Sequence, residues 1–374
     1  MVKRILFAAA LLAAFLPAWA APSAKAWIFR LDNGQVISSG NADLPLPMAS
    51  TTKLMTALIA SEKPWQSVTV SAGDVAEGLY PCMSFAPGTE LSRRDALCAM
   101  LMCSANELAH ALGEKWGEGR FVAEMNTRAR LLGMRNTRYK NTHGLDEDGH
   151  FSSARDIAIL SAAVMKNPEL REIVGQSKTE ITVKGKPAEI ESTFAPFLEK
   201  VPGAAGLKTG TTTKAGSCFA GAVRFKGHIL YGTVLHSQKG KAYEQAAEEF
   251  ESILAARALK TVLKKGETFR ADKDFDNISF EAGEAVELLL EGGEKARKEM
   301  LYTPAYPVRK GDGAALLVVT APGYSESIRL YATETRLIPR RQAALTILLS
   351  VLCILITAYY FAALRKTGKE EDCA

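Results

Sequence analysis

The sequence predicts an α+β protein, with a three-layer αβα domain followed by a small β-rich domain and a terminal transmembrane helix. Three observations carry this. A hairpin pattern near the start and strand-like runs near residue 220 bracket a long helical middle; the composition then changes near residue 260; and an uncharged apolar run closes the chain.

The hairpin is the stretch "AWIFRLDNGQVISSG", in which the Asn33-Gly34 pair supplies the turn, and Pro45 and Pro47 stop extended structure after it. From Thr51 to Lys63 the apolar residues Leu54, Met55, Leu58 and Ile59 recur at helical spacing. Helical patterns follow over 95–103, 107–116, 120–132, 154–165 and 242–259. The runs "TEITVKG", "CFAGAVRFKG" and "HILYGTVLHS" alternate as strands do and lie between the last two helices. From Val262 to Ile338, segments such as "AVELLLEGG" and "AALLVVTAPGYSESIRLYA" read as short strands and turns, so 261–338 is expected to form the β-rich domain.

With 374 residues, 47% hydrophobic and 23% charged, the chain has the composition of a globular protein of roughly two domains. The net charge of +5 is spread out, with no basic run interleaved with aromatics, so nucleic acid is not an expected partner. Residues 1–20 read as a signal peptide: Lys3 and Arg4, an apolar run from Ile5 to Leu16, then Ala18-Trp19-Ala20 before the cleavage point. Residues 343–364, "AALTILLSVLCILITAYYFAAL", carry no charge and have the length of a membrane span. Arg340 and Arg341 precede them, Arg365, Lys366 and Lys369 follow, and Tyr359 and Tyr360 suit a headgroup region. The expected location is the outer, extracytoplasmic or periplasmic face of the cytoplasmic membrane, single-pass, with 365–374 as a cytoplasmic tail. Cys82, Cys98, Cys103 and Cys218 would then meet an oxidising compartment; their pairing stays open, except that Cys98 and Cys103 point apart on one helix.

Three short elements could do chemistry. In "PMASTTKLMTAL", Ser50 and Lys53 are one helical turn apart, so the amine reaches the hydroxyl. A lysine at a helix start, and above all a buried one, is pushed toward the neutral amine that a general base must be. In "CSANELAH", Ser104-Ala105-Asn106 breaks two helical patterns and presents a hydroxyl and a carboxamide. In "GLKTGTTTKAGSC", Lys208-Thr209-Gly210 precedes a strand-like run, and a glycine there lets an acyl substrate lie against the backbone as an added strand. Each alone is also an ordinary helix cap or turn. His143, Asp146, Asp148 and His150 are ligand types within eight residues, but four ligands seldom converge on so short a loop, and a structural loop over the site is expected instead. His110 fits a helix face without a partner that the sequence can name.

The order Ser-x-x-Lys, Ser-x-Asn, Lys-Thr-Gly is far more specific than its parts. With "NTHGLDEDGHFSSARDIAIL", it makes the chain resemble the low-molecular-mass penicillin-binding proteins that act as D-alanyl-D-alanine carboxypeptidases, the S11 serine peptidases, from Ala26 to Leu259. That resemblance implies a penicillin-binding-protein/serine β-lactamase-like transpeptidase domain over 21–260. It implies Ser50 as the acylated nucleophile, Lys53 as its base and Ser104 as proton shuttle. Asn106, Lys208, Thr209, Gly210 and Thr211 would bind substrate, with the N–H groups of Ser50 and Thr211 forming the oxyanion hole. Peptidoglycan stem peptides would be the substrates and β-lactams the covalent inhibitors; no cofactor or metal is expected. Ala105 and Thr211 depart from residues common in relatives. D,D-endopeptidase action on crosslinks, a membrane-tethered β-lactamase, and a noncatalytic wall-binding or β-lactam-sensing protein are the alternatives. The glutamate loop that a class A β-lactamase uses for deacylation is absent.

Overall fold

The computed structural model describes residues 23–76, 85–271, 277–302, 306–337 and 340–367, in two compact units that meet in sequence at Ala258 and Leu259. The expected signal peptide, Cys82 and Cys373 lie outside the described residues.

In the first unit, β1 (Ala26–Leu31) and β2 (Val36–Gly40) form the hairpin expected around Asn33-Gly34. A 3₁₀ turn over Ala49–Thr52 leads into α1 (Lys53–Ser61). The short β3 (Ser67–Thr69), α2 (Ala72–Ala76) and β4 (Glu90–Ser92) precede the helices α3 (Arg93–Met102), α4 (Asn106–Lys115), α5 (Glu118–Leu131), α6 (Ala154–Lys166) and α7 (Pro168–Val174). Ser92, Ser153 and Asn167 start α3, α6 and α7 by accepting the N–H of Asp95, Asp156 and Leu170, which satisfies donors the helices cannot use internally. A second hairpin, β5 (Lys178–Val183) and β6 (Lys186–Glu191), and α8 (Ala195–Lys200) come before β7 (Ala204–Thr212), β8 (Gly216–Phe225), β9 (His228–Ser237) and α9 (Ala242–Ala256).

The central sheet has the order β2-β1-β9-β8-β7 and its pairings are antiparallel, so β7 is an edge strand. Burial explains the layers. On one face, Ala220, Ala222 and Tyr231 join α1 and α3 to α7 in one apolar core that includes Leu54, Met55, Leu97, Leu108 and Ile157. On the other face, Phe250 of α9 meets Phe29 of β1 edge-on at 5.0 Å, and Phe197 of α8 meets Phe219 of β8 at 4.9 Å. Each such buried side chain contributes about 1.5–3 kcal/mol. α1 lies within the core, with every residue from Lys53 to Ala60 buried, so Lys53 begins a helix that offers its amine no water.

In the second unit, β10 (Arg257–Leu263) pairs with β13 (Val286–Glu291). A five-stranded sheet has the order β11-β12-β16-β15-β14, from β11 (Thr268–Arg270), β12 (Ser279–Ala282), β14 (Arg297–Tyr302), β15 (Ala315–Ala321) and β16 (Tyr324–Ala332). Alternation sets its inner face: Leu317 and Val319 are buried whereas Leu316 is exposed.

One expectation needs correction. The helix expected over 242–259 stops at Ala256, and β10 begins at Arg257. The membrane span expected over 343–364 is not shown by the structure: among the described residues no helix is long and apolar enough to cross a membrane. The final helix, α10, runs over Arg340–Thr367, and its side chains over 344–357 are exposed.

Candidate active site

Ser50 stands in the 3₁₀ turn, half-buried, just before α1. Its neighbour Ala49 adopts φ 48°, a left-handed conformation rare for a residue with a side chain. The surroundings hold it there. Thr51 Oγ1 donates to Met48 O at 2.7 Å, Thr52 Oγ1 donates to Ala49 O at 2.8 Å, and His150 Nε2 lies 2.9 Å from the same Thr52 hydroxyl. His150 Nδ1 accepts the N–H of Lys140 at 3.0 Å, so Nε2 carries the proton and the ring is neutral. Gly144 rests against this turn with φ 93°; a Cβ on it would come within 2.1 Å of Ala49 O.

Lys53 Nζ is fully buried and has three partners: Ser50 Oγ at 2.8 Å, Asn106 Oδ1 at 2.5 Å and the His143 carbonyl at 2.6 Å. Burial drives its pKa well below the ordinary 10.5, the charge of Lys208 pushes the same way, and Glu107 opposes them. The geometry gives this shift a use. A neutral amine has two N–H groups and one lone pair. Two of its partners are pure acceptors; in the neutral form they take the N–H groups, which leaves the lone pair for the Ser50 hydroxyl.

Ser104 follows α3 in a left-handed conformation, φ 65°, which turns the chain into α4 and sets Asn106 at that helix's first position. Lys208, Thr209, Gly210 and Thr211 sit within β7; they do not precede a strand, as the sequence suggested. Gly210 packs on the nucleophile: a Cβ there would lie 2.8 Å from Ser50 N and 3.2 Å from Thr51 N. Lys208 is buried and donates to Thr209 O at 3.1 Å. Ser50, Ser104, Asn106, Thr209, Gly210 and Thr211 line one cleft of about 670 Å³, whose length follows the edge of β7.

Of the eight residues singled out in the sequence, six line this cleft and Lys53 is bonded to Ser50 within it, whereas Lys208 is buried in β7 and acts on Lys53 through its charge. The structure adds others. Thr193 Oγ1 lies 2.5 Å from Thr209 Oγ1 and shares the cleft. Asp146 ties the 141–150 loop to the end of β7, accepting Thr212 Oγ1 at 2.6 Å and Lys214 N at 2.9 Å. His143 contributes a backbone carbonyl, a role its residue type cannot advertise. The four metal-ligand types of that loop diverge: Asp148 takes Lys214 Nζ at 3.1 Å, whereas His143 Nδ1 accepts Leu145 N at 3.1 Å. Elsewhere, His110 finds Asp74, 2.5 Å from its Nδ1. Cys98 and Cys218 are buried thiols, each held up, near 11 and 12, by burial.

The family model for D-alanyl-D-alanine carboxypeptidases of the S11 peptidases matches residues 15–238. The chain belongs to that family. It is 26% identical over 321 residues to the carboxypeptidase DacF of Bacillus subtilis, covering 80% of this chain and 82% of that one. It is 33% identical over 243 residues to DacB2 of Mycobacterium tuberculosis, covering 61% and 81%. The crystal structure of DacD from Francisella tularensis superposes with a TM-score of 0.70 over 87% of this chain and 96% of that one; at 21% identity this likeness speaks for the fold. The penicillin-binding-protein/β-lactamase-like α+β fold expected from the three motifs is thus present.

Proposed function

We propose that this chain is a serine-type D-Ala-D-Ala carboxypeptidase that removes the terminal D-alanine from peptidoglycan stem pentapeptides through an acyl-enzyme on Ser50. The observation that carries the proposal is the buried Lys53 amine, 2.8 Å from Ser50 Oγ, with its two N–H groups already committed.

The substrate enters as a strand on the open edge of β7, its terminal carboxylate at Lys208 and Thr209. Lys53 Nζ takes the Ser50 proton as Oγ attacks the penultimate carbonyl. The N–H groups of Ser50 and Thr211 hold the developing oxyanion. The C–N bond then breaks, and D-alanine leaves with a proton passed from Lys53 through Ser104, while Asn106 keeps the amine in place. Water hydrolyses the ester and restores Ser50. β-Lactams enter the same path as acyl donors, and no cofactor takes part.

The setting we propose is the outer face of the cytoplasmic membrane. An exported N-terminus, cleaved after Ala20, and a spanning segment over 343–364 with a short cytoplasmic tail would tether the catalytic unit beside its wall substrate. The uncharged run and its basic flanks support that reading. The test is incubation of the protein without residues 343–374 with a stem pentapeptide. Released D-alanine supports the proposal; turnover of crosslinked muropeptides alone would favour an endopeptidase, and rapid, sustained β-lactam hydrolysis a β-lactamase.

A further inference from the structure

The cleft carries an acidic group that the three motifs do not contain. On one side of Gly210, toward the start of β7, stand Lys208 and Thr209. On the other side, at Thr212, stands the carboxylate of Asp146. Three acidic residues follow one another in that loop, and their side chains part. Glu147 Oε2 accepts Asn141 Nδ2 at 3.1 Å, and Asp148 takes Lys214 Nζ. Asp146 alone of the three lines the cleft, exposed, and its two hydrogen bonds come from a hydroxyl and a backbone N–H. Among the described residues no lysine or arginine side chain pairs with it. Its negative charge is therefore fixed in place and left to whatever fills the cleft.

Resting on the carboxypeptidase reading above, we infer that Asp146 selects peptides whose side chain carries a free, positively charged amine one residue before the D-Ala-D-Ala pair. Geometry decides the position. A substrate with its carboxylate at Lys208 and Thr209 and its scissile carbonyl over Gly210 runs antiparallel to β7. Thr212 lies two residues past Gly210, about 7 Å along a strand. The residue that reaches that point is the one preceding the acyl D-alanine, and a long amine side chain there meets Asp146. The two hydrogen bonds hold the carboxylate still, so little rotamer freedom is lost on pairing.

The test uses a matched pair of peptides, Nα-acetyl-Lys-D-Ala-D-Ala and its Nα,Nε-diacetyl form, which differ in one charge. An exposed charge pair of this kind predicts a kcat/KM preference of about two- to fivefold for the free amine, shrinking as salt is raised. Asp146→Asn should bring the preference, read as the ratio of the two peptides' kcat/KM in the same variant, to unity whatever the variant does to both rates. Equal rates for the two peptides, or an undiminished preference in Asp146→Asn, would overturn the inference. Competition of the same peptides against fluorescent-penicillin labelling reads the cleft without turnover. If neither peptide loses D-alanine yet the free-amine form competes better, the carboxypeptidase reading fails and the charge selection stands; equal competition overturns the selection.

Discussion

Gly210→Ala is the sharpest perturbation of the site, because it adds one methyl group where β7 crosses the nucleophile. The new Cβ would lie 2.8 Å from Ser50 N, 3.0 Å from Ala49 Cβ and 3.2 Å from Thr51 N. Two of these three atoms are backbone, so no side chain can swing aside. Carbon packs comfortably at about 3.5–4 Å, so strand and turn must part by about 0.5 Å or more. That displacement falls on the two elements whose N–H groups are proposed to share the oxyanion. Misplacement of this order costs catalysis up to about a hundredfold. Overpacking costs about 1–3 kcal/mol of stability, partly offset by about 0.4–1 kcal/mol from the stiffer unfolded chain. The assay is the second-order rate of acylation by a fluorescent penicillin, with circular dichroism as the check on folding. Gly119→Ala, where a Cβ meets nothing within 4 Å, is the control and should acylate like wild type. Acylation of Gly210→Ala within threefold of wild type would refute the reasoning.

Lys53→Met keeps the volume and removes the base; penicillin labelling should fall by about a thousandfold or more with the fold retained by circular dichroism. In the wild type the acylation rate should rise with pH through the Lys53 titration, well below 10.5, because the neutral amine is the active form. The buried rings of His143 and His150, held near 3 and near 4 mainly by burial, bind protons less readily in the folded chain than in the unfolded one, where 6.5 applies. Their stabilisation is complete above pH 6.5 and is lost as pH falls through 6.5 toward 4 and 3, by at most about 1.4 kcal/mol per pH unit per ring. Denaturant titrations between pH 7 and 4 measure it, and His150→Gln should flatten the slope. Thr193→Val removes the hydroxyl 2.5 Å from Thr209 and should raise KM several-fold with kcat less affected, read from D-alanine release.

How much of this was legible in the sequence follows from the range of the interactions. Ser50 and Lys53 meet through local helix geometry, so three residues of spacing sufficed. Asn33-Gly34 announced its hairpin for the same reason, and so did the apolar stripes of α3 to α6. The placement of Lys208 to Thr211 inside β7 was missed because Gly206 and Gly210 interrupt "GLKTGTT" and weaken its strand signal; tertiary pairing with β8 makes it a strand. The end of α9 at Ala256 was missed because "RALKTVL" continues a helical spacing that pairing with β13 overrides. Thr193 and the His143 carbonyl left no signal at all, since one reaches the site from a turn between two elements and the other acts through an atom that every residue has. Asp146 was noticed, but as a possible metal ligand, because residue type alone does not say which way a side chain turns in a loop.

The measurement closest to the central claim is mass spectrometry of the intact protein after benzylpenicillin, followed by mapping of the modified peptide. One penicilloyl group on Ser50, formed in the wild type and lost in Lys53→Met, is the predicted result. A folded wild-type protein that takes up no adduct, or carries it on any other residue, would contradict the account.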